Sequence, residues 1–211
     1  MTGVRLTLGW VAEATGGRVA AGAPDVEVGP VVTDSRTLAR GDFFVALRGP
    51  RFDANRFVGD AAARGACGAM VDEGAATGDG LPDGFGLVRV RETTAALQAL
   101  ARAVRAAVET RVVAITGSAG KTTTKEAIAG FLVPRFRVVK NKGNLNNQIG
   151  LPLSLLQLRD APDAAVMEFG MNHAGEIRTL VGIAVPDVRV WTNVGDAHLG
   201  FFASPDAIAD A

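Results

Sequence analysis

The residues with the greatest chemical potential form one run, Thr116-Gly117-Ser118-Ala119-Gly120-Lys121-Thr122-Thr123. Gly117 and Gly120 permit a tight backbone turn, so that successive N–H groups can face a single anion. A helix opening at Lys121 would add its electropositive N-terminus at the same point. Lys121 would supply a mobile ammonium for β- and γ-phosphate oxygens, and the Thr122 hydroxyl can ligate Mg2+. The preceding Val112-Val113-Ala114-Ile115 reads as a strand, and strand–turn–helix is the context that a phosphate-binding loop requires. The general pattern G-x-x-x-x-G-K-[ST] would place a further glycine at 115, where this chain has Ile115. The plainer reading, a glycine turn with a surface lysine, leaves the flanking strand and helix unexplained.

Three other places carry polar groups that could act with this loop. Lys140 to Gly150 holds Asn141, Asn144, Asn146, Asn147 and Gln148. Such a density of donors and acceptors suits a nucleotide or substrate loop, although Asn and Gly are also ordinary turn residues. Glu168 ends the apolar run Ala164-Ala165-Val166-Met167, where a carboxylate is costly unless it meets a cation, a cap or a salt-bridge partner. His198 follows Val190-Trp191-Thr192-Asn193-Val194 in a loop, where it is either a ligand or an ordinary loop histidine; His173 is equally open. Lys121 with Thr122, Glu168 and His198 each fall just past a predicted parallel strand. The carboxyl edge of an open α/β sheet is where ligands bind, and this set is compatible with a Mg-nucleotide.

The elements that must position these groups alternate. Asp42 to Leu47, Ala69 to Val71 and Leu87 to Val90 read as strands, and Phe57 to Arg64 as a helix closed by Gly65. From Thr93 to Val108, Leu97, Leu100, Ala101, Val104 and Val108 make a helical stripe. Strands are then expected at 111–116, 137–139, 164–169 and 188–194, with helices at 121–132 and 152–158. This order predicts a doubly wound parallel sheet. Ser204-Pro205-Asp206 looks like a helix start, so the chain is expected to be a fragment.

Composition narrows the classes. The 22 basic and 22 acidic residues cancel, which removes a global electrostatic case for nucleic acid or acidic membranes. With 48% hydrophobic and 21% charged residues, the chain is an ordinary globular one. No run approaches the roughly 18 apolar residues that span a bilayer, and Met1 to Gly17 lacks an export signal. The single cysteine, Cys67, cannot form an internal disulfide and reads as a small buried residue. A cytoplasmic protein with no membrane or nucleic-acid partner is expected.

Taken together, these motifs resemble the Mur ligases of bacterial cell-wall synthesis, ATP-dependent amide-forming enzymes whose T-G-x-x-G-K-T loop also lacks the first glycine. The resemblance is carried by Gly143-Asn144-Leu145-Asn146-Asn147-Gln148-Ile149-Gly150-Leu151-Pro152, by Glu168-Phe169-Gly170-Met171-Asn172-His173-Ala174-Gly175-Glu176-Ile177, and by Asn193-Val194 through Ala197-His198-Leu199. Asp34-Ser35-Arg36, with Gly41 to Leu47 and Gly49, is similar to the family's UDP-binding domain. Where the family usually has Asp-Gly-His, this chain has Asp53-Ala54-Asn55.

The resemblance implies an α/β fold: residues 1–90 as a small UDP-precursor-binding domain and 91–211 as a truncated P-loop, parallel-sheet ATPase domain. The amine-binding C-terminal domain and the family's carbamylated lysine would lie past Ala211, leaving this fragment inactive by itself. It implies ATP and Mg2+ as cofactors, UDP-N-acetylmuramoyl-tripeptide and D-alanyl-D-alanine as partners, an acyl-phosphate mechanism and a monomer. Gly117, Ser118, Ala119, Gly120, Lys121, Thr122 and Thr123 would hold ATP phosphates, with Asn144 and Asn147 helping to hold the nucleotide. Thr122, Glu168 and His198 would be metal ligands, and Lys121, Glu168 and His198 the catalytic set. Asp34, Ser35 and Arg36 would meet the UDP end. The competing readings are the related ligase that adds the third amino acid, a folylpolyglutamate-synthase-like ligase, and a non-catalytic nucleotide-binding module.

Overall fold

The computed structural model describes residues 3–49, 52–77, 80–195 and 208–209. The chain divides into two compact units, one of Arg5–Leu100 and the other running from Ala101 and including Val4.

The first unit opens with α1 (Leu8–Thr15), whose Thr7 side chain accepts the Trp10 N–H and which buries Leu8, Val11 and Ala12. Then follow β1 (Arg18–Ala21), β2 (Val31–Val32), β3 (Phe43–Val45) and a short hairpin of β4 (Arg48–Gly49) with β5 (Phe52–Asp53). A single 3-10 turn leads into α2 (Val58–Ala63), followed by β6 (Gly68–Asp72) and β7 (Gly86–Val90). The main sheet has the order β1-β7-β6-β3-β2. All its pairings are parallel except that of β1 with β7. Every residue of β3 and β6 is buried, as befits strands covered on both faces. Gly68 must be glycine because a Cβ there would stand 2.5 Å from the Gly86 carbonyl oxygen on the neighbouring strand. Cys67 is half-buried rather than fully enclosed.

Helix α1 and strand β1 are absent from the sequence-based expectation, for a physical reason. Helix α1 is two turns long, and β1 is an edge strand with three of its four residues exposed, so neither has a strong apolar period.

Helix α3 (Thr93–Ala106) carries the chain from β7 into the second unit. There β8 (Arg111–Thr116), α4 (Lys121–Leu132), β9 (Val138–Lys140), α5 (Gly150–Leu155), β10 (Ala164–Glu168), α6 (Glu176–Ala184) and β11 (Val188–Trp191) follow in turn. A 3-10 segment extends α5 to Asp160, so the expected helix at 152–158 begins two residues earlier and tightens past its midpoint. The sheet is wholly parallel, in the order β11-β8-β10-β9. Its register pairs Glu168 with Ile115 and Trp191 with Thr116, which levels the carboxyl ends of β8, β10 and β11. The chain leaves β8 for β9 on one side and later returns to β11 on the other. That reversal opens a crevice above β8, where open α/β sheets take their ligands. Among the described residues, no helix is long and apolar enough to cross a membrane.

Asp187 anchors the start of β11. Its carboxylate accepts the Val112 N–H at 2.8 Å, Arg105 Nη2 at 2.9 Å and Arg111 Nη1 at 3.3 Å. The backbone bond from Val112, helped by the two guanidinium groups, holds this carboxyl below the usual aspartate range. A folded-state pKa below the unfolded one stabilises the fold above the unfolded value of about 3.9, and that gain is lost as pH falls through the folded value. Asp187→Ala should therefore cost about 1–3 kcal/mol at pH 7 and flatten the acid limb of stability. Thermal melts between pH 7 and pH 3 check this: the wild type should lose more than the variant over that range.

Candidate functional site

The glycine loop between β8 and α4 is shaped from two directions. Gly120 caps α4 with φ +79°, and Gly117 has φ +137°. A Cβ at Gly117 would overlap the Thr192 hydroxyl oxygen and reach 2.9 Å from the Asn193 carbonyl. The segment past β11 thus lies hard against the loop, and its polar groups bind it. Ser118 N–H donates to Asn193 O at 3.1 Å. Ala119 N–H donates to Asn193 Oδ1 at 3.0 Å, while Thr192 Oγ1 donates to Ala119 O at 2.6 Å. Gly195 N–H donates to Ser118 Oγ at 2.9 Å. Lys121 folds back so that Nζ donates to Gly117 O at 2.6 Å.

Beside the loop, the level strand ends place Glu168 opposite Thr122. Thr122 Oγ1 donates to Glu168 Oε2 at 2.7 Å, and Asn146 Nδ2 donates to Glu168 Oε1 at 2.9 Å. Glu168 is only 4% exposed, so both of its oxygens require donors. Thr122 and Glu168 present hard oxygen donors side by side, the donor chemistry that suits Mg2+.

A cavity of about 460 Å3 extends from Lys121 past Asn144, Asn146 and Asn147 to Glu176. Asn147 Oδ1 accepts the Ile149 and Gly150 N–H groups at 3.1 and 2.8 Å, capping the start of α5. Its carbonyl oxygen is therefore engaged locally. Glu176 Oε2 accepts the N–H groups of Asn172 and His173 at 2.6 and 3.1 Å, which fixes the loop before α6. His173 is exposed on that loop.

The fold thus gathers Gly117 to Thr123, Asn144, Asn147 and Glu168 at one rim. His198 lies outside the described residues. Among the described residues, no cluster of three or more His, Cys, Asp or Glu side chains forms a metal site. From sequence, Asn141 and Asn146 are read only as members of a polar loop, and Thr192 and Asn193 only as part of a strand and motif, with no contact assigned to any of them. The density of asparagines marks the first two as unusual, but only the pairing of distant strands reveals what they touch.

A second cavity, of about 420 Å3, lies in the first unit and is lined by Asp34, Ser35, Arg36, Phe44, Phe52 and Phe57 among others. Arg36 donates from Nη2 to Asp34 Oδ2 at 2.7 Å and from its backbone N–H to Oδ1 at 2.9 Å. These bonds, side chain first, pull the Asp34 carboxyl down to about 2. Phe52, half exposed, stacks on Phe57 with ring centroids 6.0 Å apart, and the Arg56 guanidinium lies 4.8 Å from the Phe57 centroid. Asn55 is turned inward: Nδ2 donates to Asp53 Oδ1 at 2.8 Å and to Asp72 Oδ2 at 3.1 Å.

A parallel sheet whose β8 feeds a glycine loop and helix, with oxygen donors level at its carboxyl edge, defines a P-loop α/β unit. Residues 115–211 match the Mur ligase middle domain. The chain belongs to the Mur ligase family. It is 40% identical over 181 residues to the UDP-N-acetylmuramoyl-tripeptide–D-alanyl-D-alanine ligase of Bacillus subtilis, covering 86% of this chain and 39% of that protein. The crystal structure of MurF from Acinetobacter baumannii superposes with a TM-score of 0.87 at 37% identity, covering 100% of this chain and 46% of that one. MurF from Thermotoga maritima, solved in complex with ADP, superposes with a TM-score of 0.74 at 36% identity, covering 85% and 41%. The chain thus spans about two-fifths of the length of the curated relatives it matches.

The close approach at Gly117 gives a direct test of the loop. Gly117→Ala should push Thr192 and Asn193 away and cost about 1–3 kcal/mol of local strain. Amide exchange at Ser118 and Ala119 should then rise about tenfold or more, while the first unit's amides stay unchanged.

Proposed function

We propose that this chain forms the UDP-precursor-binding and ATP-binding parts of a peptidoglycan-precursor ligase. The reaction joins D-alanyl-D-alanine to UDP-N-acetylmuramoyl-tripeptide at the expense of ATP. The observation that carries this reading is the convergence of Lys121, Thr122 and Glu168 at one rim of the P-loop, in a chain 40% identical to such a ligase.

The chemistry is what the resemblance to the Mur ligases implies, and the groups present suit it. The substrate carboxylate attacks the γ-phosphorus, the bond to the β–γ bridging oxygen breaks and ADP leaves, giving an acyl phosphate. The incoming amine then attacks the acyl carbon, loses a proton and displaces phosphate. Phosphoryl transfer of this kind depends on positioning and charge stabilisation rather than on a covalent protein nucleophile. Lys121, whose Nζ rests on the Gly117 carbonyl, would exchange that bond for phosphate oxygens. The N–H groups of the first turn of α4 have no intrahelical acceptors and supply further donors. Thr122 and Glu168 would hold Mg2+, with His198 as a third ligand. Such an ion would neutralise the charge on the phosphates. Asn144 and Asn147, at the edge of the cavity, would contact the nucleotide.

The first unit takes the other substrate end in this reading. The aromatic pair Phe52 and Phe57 offers a face for a base, and Asp34, Ser35 and Arg36 line the same cavity. Most of the Arg36 guanidinium surface remains exposed while it holds Asp34, leaving donors for an anionic group. Asn55, in place of the family's usual histidine, serves the internal hydrogen bonds described above.

The test is phosphate release by the intact protein, supplied with tripeptide precursor, D-alanyl-D-alanine and ATP. Release should require all three; release driven by dipeptide precursor and a single amino acid would instead favour the ligase adding the third residue. Lys121→Ala should lower turnover by about 100-fold or more, the range for removing one preorganised charge-stabilising group. Glu168→Gln should raise the Mg2+ concentration at half-maximal activity by about tenfold, with little change in melting temperature. Near-normal turnover in the lysine variant, or unchanged Mg2+ dependence in the glutamine variant, would overturn these roles.

A further inference from the structure

One buried cation has no part in the chemistry just described. Lys125 lies one helical turn past Lys121 on α4 and is 2% exposed. Its Nζ donates to the Asn141 carbonyl at 3.0 Å and lies 3.4 Å from Glu126 Oε1, a carboxylate on the more exposed side of the helix. Burying an ammonium is expensive, and a methionine would fill similar space without that cost. A role for its donor capacity therefore has to be sought in what Asn141 does.

Asn141 is 1% exposed and stands immediately after β9. The paired register of β9 with β10 ends at Lys140 opposite Val166. Beyond that point the Asn141 side chain continues the connection. Glu168 N–H donates to Asn141 Oδ1 at 2.9 Å, and Asn141 Nδ2 donates to Glu168 O at 3.0 Å. Asn141 Nδ2 also donates to Leu145 O at 2.9 Å. This single amide thus ties the backbone of Glu168 to the loop carrying Asn146, and Asn146 in turn donates to the Glu168 carboxylate. The next contact is closed as well: Gly170 N–H donates to Asn146 O at 2.8 Å.

We infer that Lys125 and Asn141 are positioning residues that hold the Glu168 carboxylate and Asn146 in register with Thr122. Lys125 fixes the Asn141 backbone from below, and Asn141 fixes both ends of the Glu168 site from the side. Neither belongs to the glycine loop; Asn141 bonds the Glu168 backbone directly and Lys125 acts through Asn141. The consequence for ligand binding rests on the proposed Mg-nucleotide reading of that rim. A lone packing role for Lys125 would predict a general loss of stability with no selective effect on Glu168.

The experiment uses Lys125→Met in the intact protein, with Asn141→Ser as the second variant should the first fail to fold. Backbone amide exchange is followed at Glu168, with Val166 on the same strand as the internal control. Exchange at Glu168 should rise about tenfold relative to Val166. Binding of ATP is then measured with Mg2+ and with chelator. Half-saturating Mg2+ should rise about tenfold, while binding in chelator changes less than about twofold. Unchanged relative exchange at Glu168, or equal losses of binding with and without Mg2+, would overturn the positioning role. A wild-type protein that binds no ATP under either condition would overturn the proposed function, and exchange at Glu168 would still decide whether Lys125 and Asn141 hold it.

Discussion

The hydrogen bond from Thr122 to Glu168 ties the first turn of α4 to the end of β10. A carboxylate buried at the end of an apolar strand is tolerable only if each oxygen meets a donor. One donor comes from the glycine loop's own helix and the other from Asn146. Satisfying Glu168 therefore requires the loop, the level register of β8 and β10, and the asparagine segment to be correct together. The arrangement that solves a folding problem also places two oxygen donors beside the glycine loop.

The same economy is visible on the other side of the loop. Thr192, Asn193 and Gly195 use side-chain and backbone groups to bind Ser118 and Ala119. Those residues lie more than seventy positions away along the chain, and they meet the loop because β11 pairs with β8. The glycine loop is thus not shaped by its glycines alone. Gly117 makes room, and the β11 extension fills that room with hydrogen bonds. In the first unit, Asn55 shows a comparable inward use of a polar side chain, joining Asp53 to Asp72.

Much of the α/β architecture was legible in the chain. The strand at 111–116 and the helix at 121–132 fall where the apolar run and the glycine turn place them. The parallel alternation of the second unit follows from strands separated by helix-length segments. Helix α1 and strand β1 were not legible, since a two-turn helix and a mostly exposed edge strand leave little apolar pattern. The asparagine segment was visible as a polar cluster, but its members proved to have different tasks. Asn147 caps a helix, Asn146 meets Glu168, and Asn141 bridges two backbones.

The sequence by itself determined the chemistry available: the glycine spacing, the lysine and threonine that follow, and a carboxylate at a strand end. It also determined the family resemblance, because those motifs are contiguous in the chain. Tertiary structure alone decided which groups meet. Whether Glu168 faces Thr122, whether Asn141 extends a ladder and whether Asn193 closes on Ala119 depend on the order and register of β11, β8, β10 and β9. Register is a non-local quantity, set by the packing of whole strands against one another. A shift by one residue would turn each side chain to the opposite face and dismantle the rim.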